Sequence, residues 1–359
     1  MGNVERGRRG VAQCPLAALC LISAAWGAEP PAPTAPAPAN AARSPAQSAE
    51  VLTRQIIERV YAALDPRDAD GYERLPEPKS GEWLARFKEV PQTLERYCAL
   101  DARVRPTDAC RTIVLQPLGE FTAEQQQLLE ALREYTQAFF HLPTRLEKPV
   151  PLKIDAPGVE LTRQVGLGHR HGDYTQQYNA GVILEHLLAP RLPADAVACM
   201  GITTEDLWDG SLNYVFGVGS LNKRVGVYSL CRYYPEFWGS QRQEGDEREG
   251  LRRACKVLNH EIGHVFGLWH CVFFRCTMNG SNSRTELDHN PIEPCPVCHR
   301  KLVWCLGCDP VKRYEGVRAF YLKHGLRDEA DWLAGRIERW KKIAAREAAA
   351  VAGRRADEE

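Results

Sequence analysis

The sequence predicts an α+β protein, in which helices are mixed with a few short strands. Three observations predict that class. Apolar residues recur at helical spacing in Leu52, Ile56, Ile57, Val60, Tyr61 and Leu64, and helical patterns return over 122–140 and 246–267. Apolar runs bounded by turn residues at Arg111–Gln116, Val197–Ile202, Asn213–Gly219 and Val225–Leu230 read as strands. The two kinds of segment follow one another without an internal repeat, which argues against a regularly alternating or repeat fold.

Along the chain, residues 1–28 have the layout of a secretory signal peptide. Arg6, Arg8 and Arg9 precede an apolar stretch from Pro15 to Trp26, and Ala25-Trp26-Gly27 offers a small-x-small cleavage site. Arg8-Arg9-Gly10 faintly resembles a twin-arginine signal. The expected location is therefore secreted or periplasmic, and cytoplasmic if the segment does not act as a signal. Residues 29–47 are rich in Pro and Ala and read as an extended, solvated linker. The helix at 49–64 lies in an N-terminal helical segment, 48–78. The strand at 111–116 is followed by the long helix 122–140. A second helical pattern covers Asp173–Leu188, with Asp173 at its N-cap. Three strands and the helix 246–267 come next, then an irregular cysteine-rich segment to about Cys308. Trp332, Leu333, Ile337, Trp340 and Ala344 mark a last amphipathic helix before a charged tail, and 316–359 forms this C-terminal region.

Composition excludes some functions. The 359-residue chain has 46 Lys+Arg against 46 Asp+Glu, so its formal charge is zero, and no basic stripe marks a nucleic-acid surface. No apolar run is long enough to span a bilayer in a mature chain, so stable membrane insertion is not expected. Of the 13 cysteines, eight fall between Cys231 and Cys308 and three pairs are close-spaced, a pattern of metal ligands more than of scattered disulfides.

The chemistry is concentrated in His260-Glu261-Ile262-Gly263-His264. On a helix, positions i and i+4 share a face about one turn apart, so two imidazoles can bind one Zn²⁺ through nitrogen. Glu261 lies beside them, placed to deprotonate a metal-bound water. The stretch continues through Gly267 to His270. Gly267 stands where a helix ends in a left-handed turn, which lets the chain reverse and bring His270 to the same metal. Three histidines leave a fourth position open, as catalytic zinc requires. The full HExxHxxGxxH pattern is that of metzincin peptidases.

The residues after His270 narrow the family. Cys271, then Cys276-Thr277-Met278, then Cys295-Pro-Val-Cys298 follow the metzincin helix. This arrangement resembles the archaemetzincin family, as do Ser80-Gly-Glu-Trp-Leu-Ala-Arg, Pro91-Gln-Thr-Leu-Glu, Gly201-Ile-Thr-Thr-Glu-Asp-Leu and Tyr228-Ser-Leu-Cys-Arg. The resemblance spans 79–315. It implies a zincin-like catalytic domain with an active-site helix, a mixed sheet and a Met-turn, acting on peptide substrates. It implies His260, His264 and His270 as ligands of a catalytic zinc and Glu261 as general base. Cys271, Cys276, Cys295 and Cys298 would hold a second, structural zinc, two per chain in all, and Met278 would be the Met-turn residue beneath the histidines. Two disulfides among the four cysteines are the rival reading, although a Cys271–Cys276 bridge would close a very short loop and gain little. Cys305 and Cys308 form a further CxxC pair, read as peripheral thiols, either free or disulfide-bonded. Asn213–Gly219 is the candidate substrate strand, with Gly217 and Gly219 hinting at close backbone approach. Cleavage from a free N-terminus, as an aminopeptidase, and cleavage within the chain both stay open. The alternative to an enzyme is a zinc-stabilised binding protein on the same scaffold, and the presence of Glu261 argues against it.

Overall fold

The computed structural model describes residues 45–63, 69–100, 104–165 and 175–356. The expected signal peptide at 1–28, most of the expected Pro/Ala linker and Asp173 lie outside these residues. Among the described residues there are eight strands: β1 (Thr112–Leu118), β2 (Thr144–Leu146), β3 (Thr162–Gln164), β4 (Gln176–Asn179), β5 (Ala196–Thr203), β6 (Leu207–Trp208), β7 (Gly217–Gly219) and β8 (Val225–Ser229). The longer helices are α1 (Pro45–Ala63), α2 (Ala123–Phe140), α3 (Asp246–Val265), α4 (Arg284–His289), α5 (Pro296–Leu306), α6 (Pro310–Lys323) and α7 (Arg327–Ala356).

Five strands form the main sheet in the order β2-β1-β5-β8-β7. Every residue of β5 is buried, as a central parallel strand covered on both faces requires. Its partners β1 and β8 run parallel to it. β7 pairs antiparallel with β8 and closes the series, so the sheet is mixed. A second, three-stranded sheet has the order β3-β4-β6.

On one face of the main sheet, α2 and α3 join β1, β5 and β8 in the larger core, through Leu132, Tyr135, Phe139, Leu258, Ile262 and Phe266 among others. α2 starts at a capping box: the Gln125 amide donates to the Thr122 hydroxyl and the Gln125 side chain accepts from the Thr122 amide. The first turn of α3 carries Asp246, Glu247 and Glu249, which complement the helix dipole. On the opposite face a smaller core gathers Val114, Ile183, Leu187, Leu188, Cys199 and Val227.

The structure departs from the sequence expectation in four places. The helical pattern assigned to 173–188 begins only at Ala180, because Gln176–Asn179 is strand β4, paired with β3 and β6. The Asn179 side chain accepts from the Val182 amide and so caps the turn that starts there, and 183–188 is wound as a π-helix. Of the strand expected at 213–219, only Gly217–Gly219 is regular strand, with Val215 bridging Leu207 ahead of it. The segment from Cys271 to Cys308 is not irregular throughout: it contains α4 and α5, the latter opened by Pro296 at its first position. Finally, the 315/316 boundary falls inside α6, and α7 continues to Ala356 through most of the expected charged tail.

The N-terminal stretch also packs onto the cysteine-rich loop. The Leu75 amide donates to the Phe273 carbonyl (3.1 Å) and the Arg275 amide to the Glu73 carbonyl (2.9 Å). Among the described residues, no helix is long and apolar enough to cross a membrane.

Candidate metal centre

α3 ends as its sequence dictates. Gly267 has φ +86°, the Gly267 amide donates to the His264 carbonyl (2.8 Å), and the Leu268 amide reaches back to the Gly263 carbonyl (3.0 Å). This closed C-terminal turn reverses the chain and returns His270 beneath the helix. The ring centroids of His260, His264 and His270 then lie 4.5–5.1 Å apart. Ligand atoms from all three fall within 4.8 Å of one another.

Each imidazole is oriented through its Nδ1. His260 donates to the Thr277 carbonyl (2.9 Å) and His264 to the Leu268 carbonyl (2.8 Å). A carbonyl can only accept, so both protons sit on Nδ1 and both Nε2 atoms present lone pairs. Those two Nε2 atoms face each other at 3.0 Å. Two acceptors at that distance repel unless a cation lies between them. Two nitrogens on a tetrahedral zinc with bonds of ~2.05 Å would be about 3.3 Å apart, close to the observed spacing. Burial, followed by the charge of the neighbouring histidines, pushes His260 well below the ordinary histidine range and His264 down to about 3. Both are therefore neutral and able to bind a metal at physiological pH.

The third histidine has a partner that the sequence did not reveal. His270 Nδ1 donates to Glu89 Oε1 at 2.7 Å, and the same oxygen accepts from Trp83 Nε1 at 2.8 Å. Burial alone would raise the Glu89 carboxyl, but the His270 and Trp83 hydrogen bonds and the His270 charge hold it below its usual value. The Trp83 ring packs edge-on to His270 at 5.0 Å. Gln92 is a second missed residue. Its amide donates to the Gly267 carbonyl (2.8 Å) and accepts from the Trp269 amide (3.1 Å), which pins the turn carrying His270.

Met278 is 1% exposed, and its sulfur would lie 2.5 Å from a Cβ placed on Gly263, so it fills the space under the helix between the two histidines. Glu261 faces the other way, toward β7. A Cβ on Gly217 would stand 2.7 Å from Glu261 Oε1, and one on Gly219 only 2.3 Å from the Glu261 carbonyl. Both glycines are thus required by the approach of β7 to α3. Burial pushes the Glu261 carboxyl up to about 8, against a lowering hydrogen bond from the Gly219 backbone.

Cys271, Cys276, Cys295 and Cys298 form the second cluster, buried and with their sulfurs within 4.8 Å of one another. All four are free thiols, so neither disulfide of the rival reading is present. The Cys271 and Cys295 sulfurs are 3.6 Å apart, near the ~3.8 Å edge of a tetrahedral zinc site with bonds of ~2.3 Å. Pro296 opens α5, which places Cys295 at its N-cap and Cys298 in its first turn, at the positive end of the helix dipole. The Met278 and Cys295 amides donate to Cys276 Sγ at 3.4 and 3.2 Å. Burial, reinforced by the neighbouring thiols, drives the Cys276 and Cys295 thiols up, whereas hydrogen bonds from the other three overcome burial and draw Cys271 down. Four thiolates buried together need a cation among them. Cys305 and Cys308 stand apart; the Cys305 thiol donates to the Val104 carbonyl at 3.3 Å.

Comparison with known proteins identifies the family. The model of peptidase family M54 matches residues 153–303. Archaemetzincin-2 of Pongo abelii is 31% identical over 264 residues, covering 66% of this chain and 71% of the relative. The chain belongs to the archaemetzincin family. It is accordingly a zinc-dependent metallopeptidase with peptide substrates. An archaemetzincin of Thermococcus kodakarensis is 34% identical over 193 residues, covering 54% of this chain and 96% of that one. A solved archaemetzincin from Archaeoglobus fulgidus, crystallised with malonate, covers 53% of this chain and 99% of its own at 25% identity, with a TM-score of 0.40.

Proposed function

We propose that the protein hydrolyses peptide bonds at a zinc held by His260, His264 and His270, with Glu261 as general base. A second zinc, held by Cys271, Cys276, Cys295 and Cys298, has a purely structural role. The observation that carries the first assignment is the pair of facing Nε2 lone pairs 3.0 Å apart, next to a carboxyl that ligates nothing. When bound, zinc supplies a Lewis acid that acidifies water and polarises a carbonyl. The chain's own groups do the rest. Glu261 takes the proton of the attacking water on its carboxylate and returns it to the departing amine. Its burial favours that exchange, because an apolar setting brings its proton affinity close to that needed near neutral pH. The Thr277 and Leu268 carbonyls and the Glu89 carboxylate keep the three imidazoles aimed inward. β7 is the last strand of its sheet, and its glycine backbone lies against Glu261, so an extended peptide added to that edge would pass the site.

The four-thiolate site ties the two halves of the metal region together. Cys271 follows His270 directly, and Cys276 stands two residues before Met278. Metal at the cysteines therefore fixes both the third histidine and the floor beneath the first two.

The test is digestion of paired peptides, with free and with acetylated N-termini, by the zinc-loaded full chain. Cleavage of both forms at internal bonds assigns an endopeptidase, and stepwise release from free N-termini alone assigns an aminopeptidase. Zinc-loaded protein that cleaves neither is the non-catalytic scaffold of the alternative reading.

A further inference from the structure

A cavity of about 630 Å³ is lined by Asn213 and Tyr214, which precede β7, and by Ser283 and Arg284 at the start of α4, among others. Among the described residues that line it, Arg163, Arg232 and Arg284 bring three guanidinium groups and none is acidic. The nearest carboxylate, Asp206, is 2% exposed and already committed: it accepts Arg232 Nε and Nη2 at 2.7 Å each and Gln177 Nε2 at 2.8 Å. Arg163 donates to the Gln177 side chain and to the Leu212 and Asn213 carbonyls. Among the described residues, no carboxylate pairs with Arg163 or Arg284. Each guanidinium also lies over an aromatic ring: Arg163 over Trp208 at 4.7 Å, Arg232 over Tyr214 at 3.6 Å and Arg284 over Trp238 at 5.1 Å. Stacking holds an arginine flat; Nε and Nη2 of Arg163 and Arg232 are committed to the partners above, so among the described residues the guanidinium edge open to in-plane hydrogen bonds with a carboxylate is that of Arg284.

The cavity's place in the fold connects it to substrate. Tyr214 precedes Gly217 by three residues, about 10 Å of extended chain, and Gly217 lies against Glu261. On the other wall, Ser283 and Arg284 follow Met278 closely, and the Tyr214 hydroxyl donates to the Asn282 carbonyl at 3.1 Å to join the two walls. A peptide added antiparallel to β7 would run from Gly219 past Gly217 toward Tyr214. The cavity would then receive what lies on the leaving-amine side of the scissile bond.

We infer that this cavity is a specificity site that takes a carboxylate two or three residues beyond the scissile bond, either an acidic side chain or the peptide's own C-terminus. This rests on the hydrolytic reading above and adds the substrate's chemistry to it. The attraction is a charge-assisted hydrogen bond with low competition from acidic neighbours.

Two peptide series test it with the zinc-loaded full chain. In one, Glu alternates with Gln at the second and third residues after the scissile bond, in C-terminal amides. In the other, a neutral peptide ends at those positions as the free acid or the amide. The expected kcat/KM ratio is about tenfold in favour of the carboxylate in at least one series, and the responding series names its source. Arg284→Gln should bring that ratio toward one with zinc content unchanged. Ratios within twofold of one in both series, on peptides that are cleaved, overturn the inference and leave the peptidase reading standing. If no peptide is cleaved, the peptidase reading fails, and calorimetric binding of the same Glu and Gln peptides decides the cavity. About tenfold tighter binding of the Glu peptide, lost in Arg284→Gln, supports it, and equal binding overturns it.

Discussion

Replacing Gly219 with alanine tests how β7 is seated on the active-site helix. The added Cβ would lie 2.3 Å from the Glu261 carbonyl oxygen and 3.0 Å from His264 Cβ. Ordinary contact needs roughly 3.4 Å, and the closest neighbour is backbone inside a helix, which cannot rotate away. β7 must therefore lift from α3 by about 1 Å, or the helix must shift with its histidines. Overpacking of this kind costs about 1–3 kcal/mol, and a ~1 Å misplacement at a reacting centre costs on the order of a hundredfold in rate. Gly219→Ala should lower Tm by several degrees and kcat/KM by one to two orders of magnitude, while the cysteine-bound zinc stays in place. Gly210→Ala is the control: its added Cβ meets nothing within 4 Å, although φ is +51°, so it should affect stability alone. Thermal unfolding, zinc content and peptide turnover on both variants complete the assay. A Gly219→Ala protein with wild-type Tm and wild-type turnover refutes the seating of β7 on Glu261.

Three further predictions concern the metal sites. Glu89→Gln should weaken zinc binding at the histidine site by about 10–100-fold, measured by competition with a chelator, and leave the cysteine site unchanged; unaltered affinity would show that His270 needs no carboxylate partner. Cys298→Ser should reduce zinc from two per chain to one and expose the region from Cys271 to Leu306 to protease, because the four buried sulfurs stand among core residues such as Phe273, Met278, Ile292 and Leu302 and would lose the cation that joins them; two zinc per chain in that variant would contradict the four-thiolate site. In metal-free Glu261→Gln protein, where the opposing titration of the raised Glu261 carboxyl is removed, His260 and His264 are held below their unfolded values, so between pH 7.5 and 5.5 the unfolded chain binds histidine protons that the folded chain refuses. Stability should fall as pH drops through about 6.5, by up to about 1.4 kcal/mol per pH unit for each histidine, read from urea midpoints; midpoints independent of pH would remove that assignment.

Much of the centre was legible in the sequence because its constraints are local. The spacing of His260, Glu261 and His264 is one helical turn, and Gly267 marks a left-handed turn that only a residue without Cβ adopts easily. The grouping of Cys271, Cys276, Cys295 and Cys298 followed from the family resemblance, and the structure brings those sulfurs together. Contacts set by tertiary packing were not legible. Glu89 stands 181 residues from His270 in sequence, and no periodicity or motif links them. The cavity arginines come from β3, the turn after β8 and the start of α4, which meet only once the two sheets are assembled. The mistaken start of the helix at 173–188 has a local cause: the apolar pattern of Ile183, Leu184, Leu187 and Leu188 is helical, but Asn179 caps the helix and β4 takes the residues before it. In 213–219 the run of apolar residues was read as one strand, whereas regular pairing with β8 is limited to the three residues around the two glycines.

Glu261→Gln tests the central claim most directly, with zinc content and peptide turnover measured on the same preparation. The side chain keeps its size and cannot act as a base, and it is placed as a ligand of neither metal. Full zinc content with turnover reduced by at least about a hundredfold is the predicted result, the scale of a lost general base. Turnover equal to wild type at equal zinc content would contradict it.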